Sequence, residues 1–289
     1  MTLIMRGKEV TEALNRRLKK RSDKLRARGI VPTLGIIRLG ENPDDLTYER
    51  SAKIRAAKTG IEIRNFVYSE DFTEQELVGI IYRLNNDPHI HGILLMQPLP
   101  DHIDDDLVRN AIRPDKDVDG ITDLSMAGVY SGDKQGFPPC TAEACIEMLD
   151  HYSIGLAGKN AAIIGRSPVI GKPVAMMLID RDVTVTICHT KTKDIRSLCR
   201  KQDLIIACAG HIGTVTKDFM HESQVIVDVA INFDENGNMC GDTDFAAADG
   251  FVRAVSPVPG GIGSVTTGML MKHVIQAAEG KDDFSLISW

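Results

Sequence analysis

The chain has 289 residues, 43% of them hydrophobic and 26% charged, with a formal net charge of -6. That is enough chain for two globular domains, each burying its own core, and the acidic balance gives no reason to expect nucleic-acid binding. No apolar run is long enough to cross a bilayer, the stretch Met1–Lys8 lacks the apolar core of a secretory signal, and the six cysteines contain no C-x-x-C pair, so neither a membrane span, a zinc site nor a disulfide framework is indicated. A cytoplasmic enzyme acting on a small molecule is expected.

In chain order, the charged amphipathic pattern from Lys8 to Arg28 predicts a helix ended by Gly29 and Pro32. Strands follow at Thr33–Leu39, Ile61–Tyr68 and Gly92–Met96, with helices around Tyr48–Lys58 and Thr73–Asn86 between them. Such alternation implies a parallel sheet with right-handed crossovers. The Asp-, Gly- and Pro-rich segment Pro114–Pro139 predicts loops at a domain junction, and Thr141–His151 a helix linking two domains. A second series of strands lies near Ala161–Ile164, Val183–Cys188, Leu204–Ala209 and Val225–Val229, and a last helix spans Thr266–Glu279. The fold class is therefore α/β with two domains, the C-terminal one Rossmann-like.

The strand ending at Ile164 runs into Gly165-Arg166-Ser167-Pro168-Val169-Ile170-Gly171-Lys172-Pro173. A glycine turn between a buried strand and a helix brings backbone N–H groups and the positive helix terminus to a pyrophosphate. An NAD site would place Asp or Glu at the end of the next strand; this chain has His189-Thr190-Lys191-Thr192. Arg166, Thr190 and Lys191 are suited to a 2′-phosphate, which a carboxylate would repel, so NADP is the expected cofactor. A solvated basic turn is the alternative.

Three further clusters sit at strand ends or loops, where open α/β sheets bind ligands: Gln97-Pro98-Leu99-Pro100, Asp115-Lys116-Asp117-Val118-Asp119-Gly120, and Ser256-Pro257-Val258-Pro259-Gly260-Gly261-Ile262-Gly263. The last pairs stiff prolines with bare glycines, which suits either close backbone approach to a flat ligand or a tight structural turn.

Taken with Asn42-Pro43, Tyr48, Pro139-Cys140-Thr141 and Cys188-His189-Thr190, these segments resemble the methylenetetrahydrofolate dehydrogenase/methenyltetrahydrofolate cyclohydrolase family over about Gly35 to Ala278. The resemblance implies a folate-binding catalytic domain (residues 1–146 plus 265–289), an NADP-binding Rossmann-like domain (147–264) and a homodimer. It implies that Asp119 binds the pterin through paired N–H donors, that Tyr48 packs on or bonds to the ring, and that Pro257 and Gly261 contact substrate. Gly165, Arg166, Ser167, Thr190 and Ile231 would contact the cofactor.

The family also carries a lysine four residues after the tyrosine, held by the glutamine that here is Gln97, as the base for the hydrolytic step. In this chain that position is Ala52. Lys53 follows, but one helical step turns a side chain by about 100°. Three outcomes stay open: Lys53 serves by long reach or a helix irregularity, another residue acts, or the cyclohydrolase step is weak or lost. The catalytic candidates are thus Lys53, Gln97 and Asp119. A non-catalytic folate- or nucleotide-binding regulator is a more remote reading.

Overall fold

The computed structural model describes residues 1–133 and 135–280. The elements of the first half are β1 (Leu3–Ile4), α1 (Gly7–Ala27), β2 (Thr33–Leu39), α2 (Pro43–Thr59), β3 (Glu62–Tyr68), α3 (Glu74–Asn86), β4 (Gly92–Leu95), α4 (Asp105–Asn110) and α5 (Asp123–Ser131). Those of the second are α6 (Cys140–His151), β5 (Asn160–Ile164), α7 (Gly171–Ile179), β6 (Thr184–Cys188), α8 (Ile195–Cys199), β7 (Leu204–Ala207), β8 (Val225–Asp228), β9 (Asn232–Phe233), β10 (Met239–Cys240), α9 (Phe245–Ala248), β11 (Ala254–Val255) and α10 (Gly263–Glu279). The chain divides into two compact units: one holds Met1–Glu12 and Thr141–Thr266, the other Ala13–Cys140 and the chain from Thr267.

The second of these units carries a parallel three-stranded sheet in the order β3-β2-β4. Every residue of β2 is buried, as a central strand covered on both faces must be. Ile37, Leu39, Ile93 and Leu95 pack with Leu77, Ile80, Ile81 and Leu84 of α3 in one core. Local signals fix the helices around it. The Asn42 side chain caps the Asp44 N–H at 2.9 Å with Pro43 in the first turn, and α2 ends at Gly60, whose φ of 80° suits glycine. α3 opens with a reciprocal Thr73–Glu76 capping box.

The other unit is built on a six-stranded parallel sheet in the order β1-β11-β8-β7-β5-β6. From β5 the chain moves to β6 on one side and then to β7 on the other. Strand order therefore reverses at β5, and ligands of doubly wound sheets bind outside the carboxyl ends at such a point. Ala162, Ile164, Ile205, Ala207, Ile226 and Val255 fill its core.

The sequence-based boundaries place residues 1–146 together, whereas Met1–Glu12 lie in the Rossmann-like unit because Leu3 and Ile4 pair with Ala254 and Val255 at the sheet edge. Residues 281–289, assigned from sequence to the folate domain, lie outside the described residues. The segment predicted as loops, Pro114–Pro139, contains helix α5, capped by Thr122 through the Ser125 N–H.

Candidate active site

Helix α2 brings both a tyrosine and a buried ion pair to this region. Tyr48, half-buried, sits beside Asp119 and Cys140. Burial and the negative potential of those two neighbours hold its phenol well above the usual tyrosine range. Asp119 follows β4 on the 115–120 loop, where Ile93 N donates to Lys116 O at 2.8 Å and Asp117 accepts from the Gly120, Ile121 and Thr122 amides at 2.8–3.1 Å. The Asp119 carboxyl is pushed up to about 6, mainly by burial and then by Asp117, while a hydrogen bond from Cys140 and the charge of His273 act downward. Two of the folate-binding residues expected from the sequence are therefore neighbours.

The buried face of α2 carries Asp45, Glu49, Ala52, Ala56 and Thr59. Glu49 accepts from Arg38 Nε of β2 at 3.2 Å and from Asn65 Nδ2 of β3 at 2.6 Å. Arg38 is 8% exposed and Glu49 7%, so each charge is compensated where solvent is nearly excluded. Lys53 pairs with Glu49 one turn back, and its ammonium is thereby tied to this network. Among the described residues its hydrogen bond and ion pair go to Glu49 and not to Tyr48 or Gln97. Gln97 is exposed and donates to Asp105 at 2.6 Å. A lysine–glutamine pair of the expected kind is thus not formed by Lys53, because the helical step that separates 52 from 53 sends the side chain to another flank. The Arg38–Glu49 pair was not foreseen; a lone arginine in an otherwise apolar strand followed by a helical glutamate was the signal available.

In the Rossmann-like unit the turn after β5 fits a dinucleotide. Gly165 has φ 135°, and an added Cβ would lie 2.4 Å from Cys208 O. A Cβ at Gly171 would lie 2.4 Å from Gly165 O, so glycine is required at both ends of the turn. Helix α7 opens with no side-chain cap and no acidic residue in its first turn, leaving its terminal dipole available to a phosphate. Ile164 pairs in register with Cys188, so the segments Gly165-Arg166-Ser167 and His189-Thr190 leave adjacent strand ends. Arg166, Ser167 and Thr190 are exposed there. Thr192 shapes the second turn, its hydroxyl accepting from His189 N at 2.9 Å.

Ile231, Pro257 and Gly261 come together around a cavity of about 260 Å³ that Asp228 also lines. Two buried aspartates, not anticipated from sequence, hold its walls. Asp228 accepts from the amides of Ala230, Asp242 and Thr243 at 2.7–3.2 Å, and its carboxyl is pushed up to about 6, chiefly by burial. Asp242 accepts from three consecutive amides, Ala209, Gly210 and His211, at 2.6–3.1 Å, and from Asn232 Nδ2 at 3.0 Å. It thereby ties the turn after β7 to the residue beside Ile231.

Among the described residues no helix is long and apolar enough to cross a membrane. Residues 5–119 match the tetrahydrofolate dehydrogenase/cyclohydrolase catalytic domain and residues 139–282 the NAD(P)-binding domain of the same family. A bifunctional protein FolD of Clostridium botulinum (strain Langeland) is 43% identical over 96% of this chain and 99% of its own length. The bifunctional FolD methylenetetrahydrofolate dehydrogenase/cyclohydrolase of Campylobacter jejuni superposes with a TM-score of 0.94 at 37% identity, covering 97% of this chain and all of that one. The methylenetetrahydrofolate dehydrogenase-cyclohydrolase (FolD) of Trypanosoma brucei, solved with NADP and an inhibitor, superposes at 0.88 with 29% identity over 98% of this chain and 99% of its own. With both domains matched and a relative of this identity spanning nearly its whole length, the chain belongs to the tetrahydrofolate dehydrogenase/cyclohydrolase family.

Proposed function

We propose that this chain oxidises 5,10-methylenetetrahydrofolate to the 5,10-methenyl form with NADP and hydrolyses that product to 10-formyltetrahydrofolate. The observation that carries the reading is the Tyr48–Asp119 pair on the catalytic domain of a chain that matches both family domains. Asp119, when ionised, offers two oxygens to paired pterin N–H donors, and Tyr48 offers a ring face. NADP, when bound, accepts the hydride. The T. brucei relative was solved with that cofactor, and Arg166, Ser167 and Thr190 are the residues that would hold its 2′-phosphate, with the Gly165 and Gly171 backbone against the pyrophosphate. The folate nitrogens themselves stabilise the cationic product, so the oxidation needs no proton donor or acceptor from the chain and depends on positioning. Ile231, Pro257 and Gly261 serve that positioning.

Hydrolysis is the more demanding step, since water must lose a proton as it adds to the methenyl carbon. One observation favours a second reading in which the chain is chiefly a dehydrogenase: Ala52 is fully buried and Lys53 is bound to Glu49. The homodimer and cytoplasmic location expected from sequence remain with the main reading. Among the described residues strand β3 is paired on one side only and exposes Val67 at 48%, as an edge available to a second copy would, and all six cysteines are thiols. The test is a paired assay on the purified protein, following NADP reduction by methylenetetrahydrofolate and, without cofactor, the decay of methenyltetrahydrofolate. Turnover in both is expected. Dehydrogenation with decay at the protein-free rate selects the second reading, and no dehydrogenation with NADP or NAD overturns both.

A further inference from the structure

His273 is fully buried on α10 and has no part in the chemistry described so far. Its Nδ1 lies 2.7 Å from Val118 O. A carbonyl oxygen only accepts, so Nδ1 carries the proton and donates it. The Phe137 ring stacks on the imidazole with centroids 4.8 Å apart, which fixes the ring plane. Cys140, 2% exposed at the start of α6, places its Sγ 3.3 Å from the same Val118 oxygen and 3.6 Å from His273 Nδ1. Its thiol also reaches the Asp119 carboxylate, and its backbone N–H donates to Asp119 O at 3.4 Å.

The peptide groups on both sides of Asp119 are therefore gripped by residues from α6 and α10, and the carboxylate keeps acceptor capacity for a ligand. We propose that His273 and Cys140 are positioning residues for folate capture, holding the Asp119 carboxylate in place as an acceptor. This rests on the reading of Asp119 as the pterin-binding group.

The groups facing Asp119 are Asp117 on its own loop, Tyr48 on α2, Cys140 on α6 and His273 on α10. Burial and Asp117 raise its pKa, while Cys140 and His273 lower it. Because the pterin donors need the ionised carboxylate, folate affinity falls as pH drops through about 6. Loss of either positioning residue moves that acid limb upward, by about one pH unit.

The experiment is calorimetric titration of 5-formyltetrahydrofolate into the full chain without cofactor, from about pH 5 to about pH 8.5, for the parent, His273→Asn, Cys140→Ala, Cys140→Ser and Asp119→Asn. His273→Asn and Cys140→Ala are expected to bind about fivefold more weakly than the parent at about pH 6 and less than about twofold more weakly at about pH 8, as a one-unit displacement of the limb requires. Cys140→Ser, which keeps a donor, returns the limb toward the parent. A limb shared by all these variants overturns the proposal, and so does a loss of equal size at every pH, the signature of a merely structural role. Should His273→Asn fail to fold, the Cys140→Ala and Cys140→Ser pair decides alone. If Asp119→Asn binds the probe as tightly as the parent, the folate reading of Asp119 itself fails and takes the proposal with it.

Discussion

Asp119 in the catalytic unit and Asp228 in the Rossmann-like unit are both pushed up to about 6 by burial, yet their surroundings differ in kind. Asp228 has its oxygens occupied by three backbone amides, and a Cβ on Gly241 would come within 2.2 Å of it. The chain closes on that carboxylate. Asp119 meets a single thiol from Cys140 and accepts no backbone amide among the described residues. A shifted pKa alone does not separate the two. The count of lone pairs already satisfied by the chain does: a saturated buried carboxylate holds loops together, and an unsaturated one is available to a ligand.

The contrast can be broken most forcefully on the structural side. Asp242, which collects three successive amides and the Asn232 side chain, belongs with Asp228. Asp242→Ala leaves four donors without their acceptor and is expected to lower unfolding stability by about 3–5 kcal/mol in urea titrations. A change below about 1 kcal/mol would show that the network is dispensable. A step smaller, Gly165→Ala places a Cβ against Cys208 O at a backbone angle that side chains rarely adopt. It is expected to cost about 1–3 kcal/mol and to weaken NADP binding at least tenfold by fluorescence titration, while 5-formyltetrahydrofolate affinity stays within about twofold.

For Asp119 itself the sign of the pH dependence is diagnostic. A folded-state carboxyl pKa raised above its unfolded value contributes stability that is fully present below the unfolded pKa and is lost as pH rises through the folded one. For Asp119 that window runs from its ordinary 3.8 to about 6. The parent is therefore expected to gain stability over Asp119→Asn on acidification through this window. Discounted for residual exposure, the gain is about 1 kcal/mol in urea titrations at paired pH values. The stabilisation conferred by bound 5-formyltetrahydrofolate should shrink over the same range, the outcome that the proposed contact between the ionised Asp119 and the pterin requires. A ligand effect of constant size would sever the link between Asp119 ionisation and folate capture.

Long periodic segments were legible in the sequence because burial imposes their pattern. Strand β2 occupies Thr33–Leu39 as expected, and α1, α3 and α10 lie within three residues of their expected bounds, whereas α2 begins at Pro43, five residues before the expected start at Tyr48. Helix α5 was missed for a physical reason. Its buried residues are Ser125 and Gly128, while Leu124 and Tyr130 are 56% and 80% exposed, so it docks through small residues and shows no apolar stripe. Gly128 illustrates the fit, since a Cβ there would lie 2.2 Å from Gln135 O. Strands β1 and β11 are two residues each, too short to carry a period.

The glycine turn of the candidate site is legible because its motif is continuous, at Gly165-Arg166-Ser167. The convergence of distant segments is not. Nothing in the spacing announces that His273 lies against Val118, or that Arg38 pairs with Glu49. Ala52 shows both sides of this: the absent lysine is visible in the sequence, whereas the commitment of Lys53 to Glu49 is visible only in the fold.

Whether the unsaturated carboxylate on the catalytic unit anchors folate is decided by the dissociation constant of 5-formyltetrahydrofolate for the parent and for Asp119→Asn near neutral pH. A weakening of about a hundredfold is expected from the loss of one or two charge-assisted hydrogen bonds, with thermal stability little changed. Equal affinity in the two proteins would contradict it.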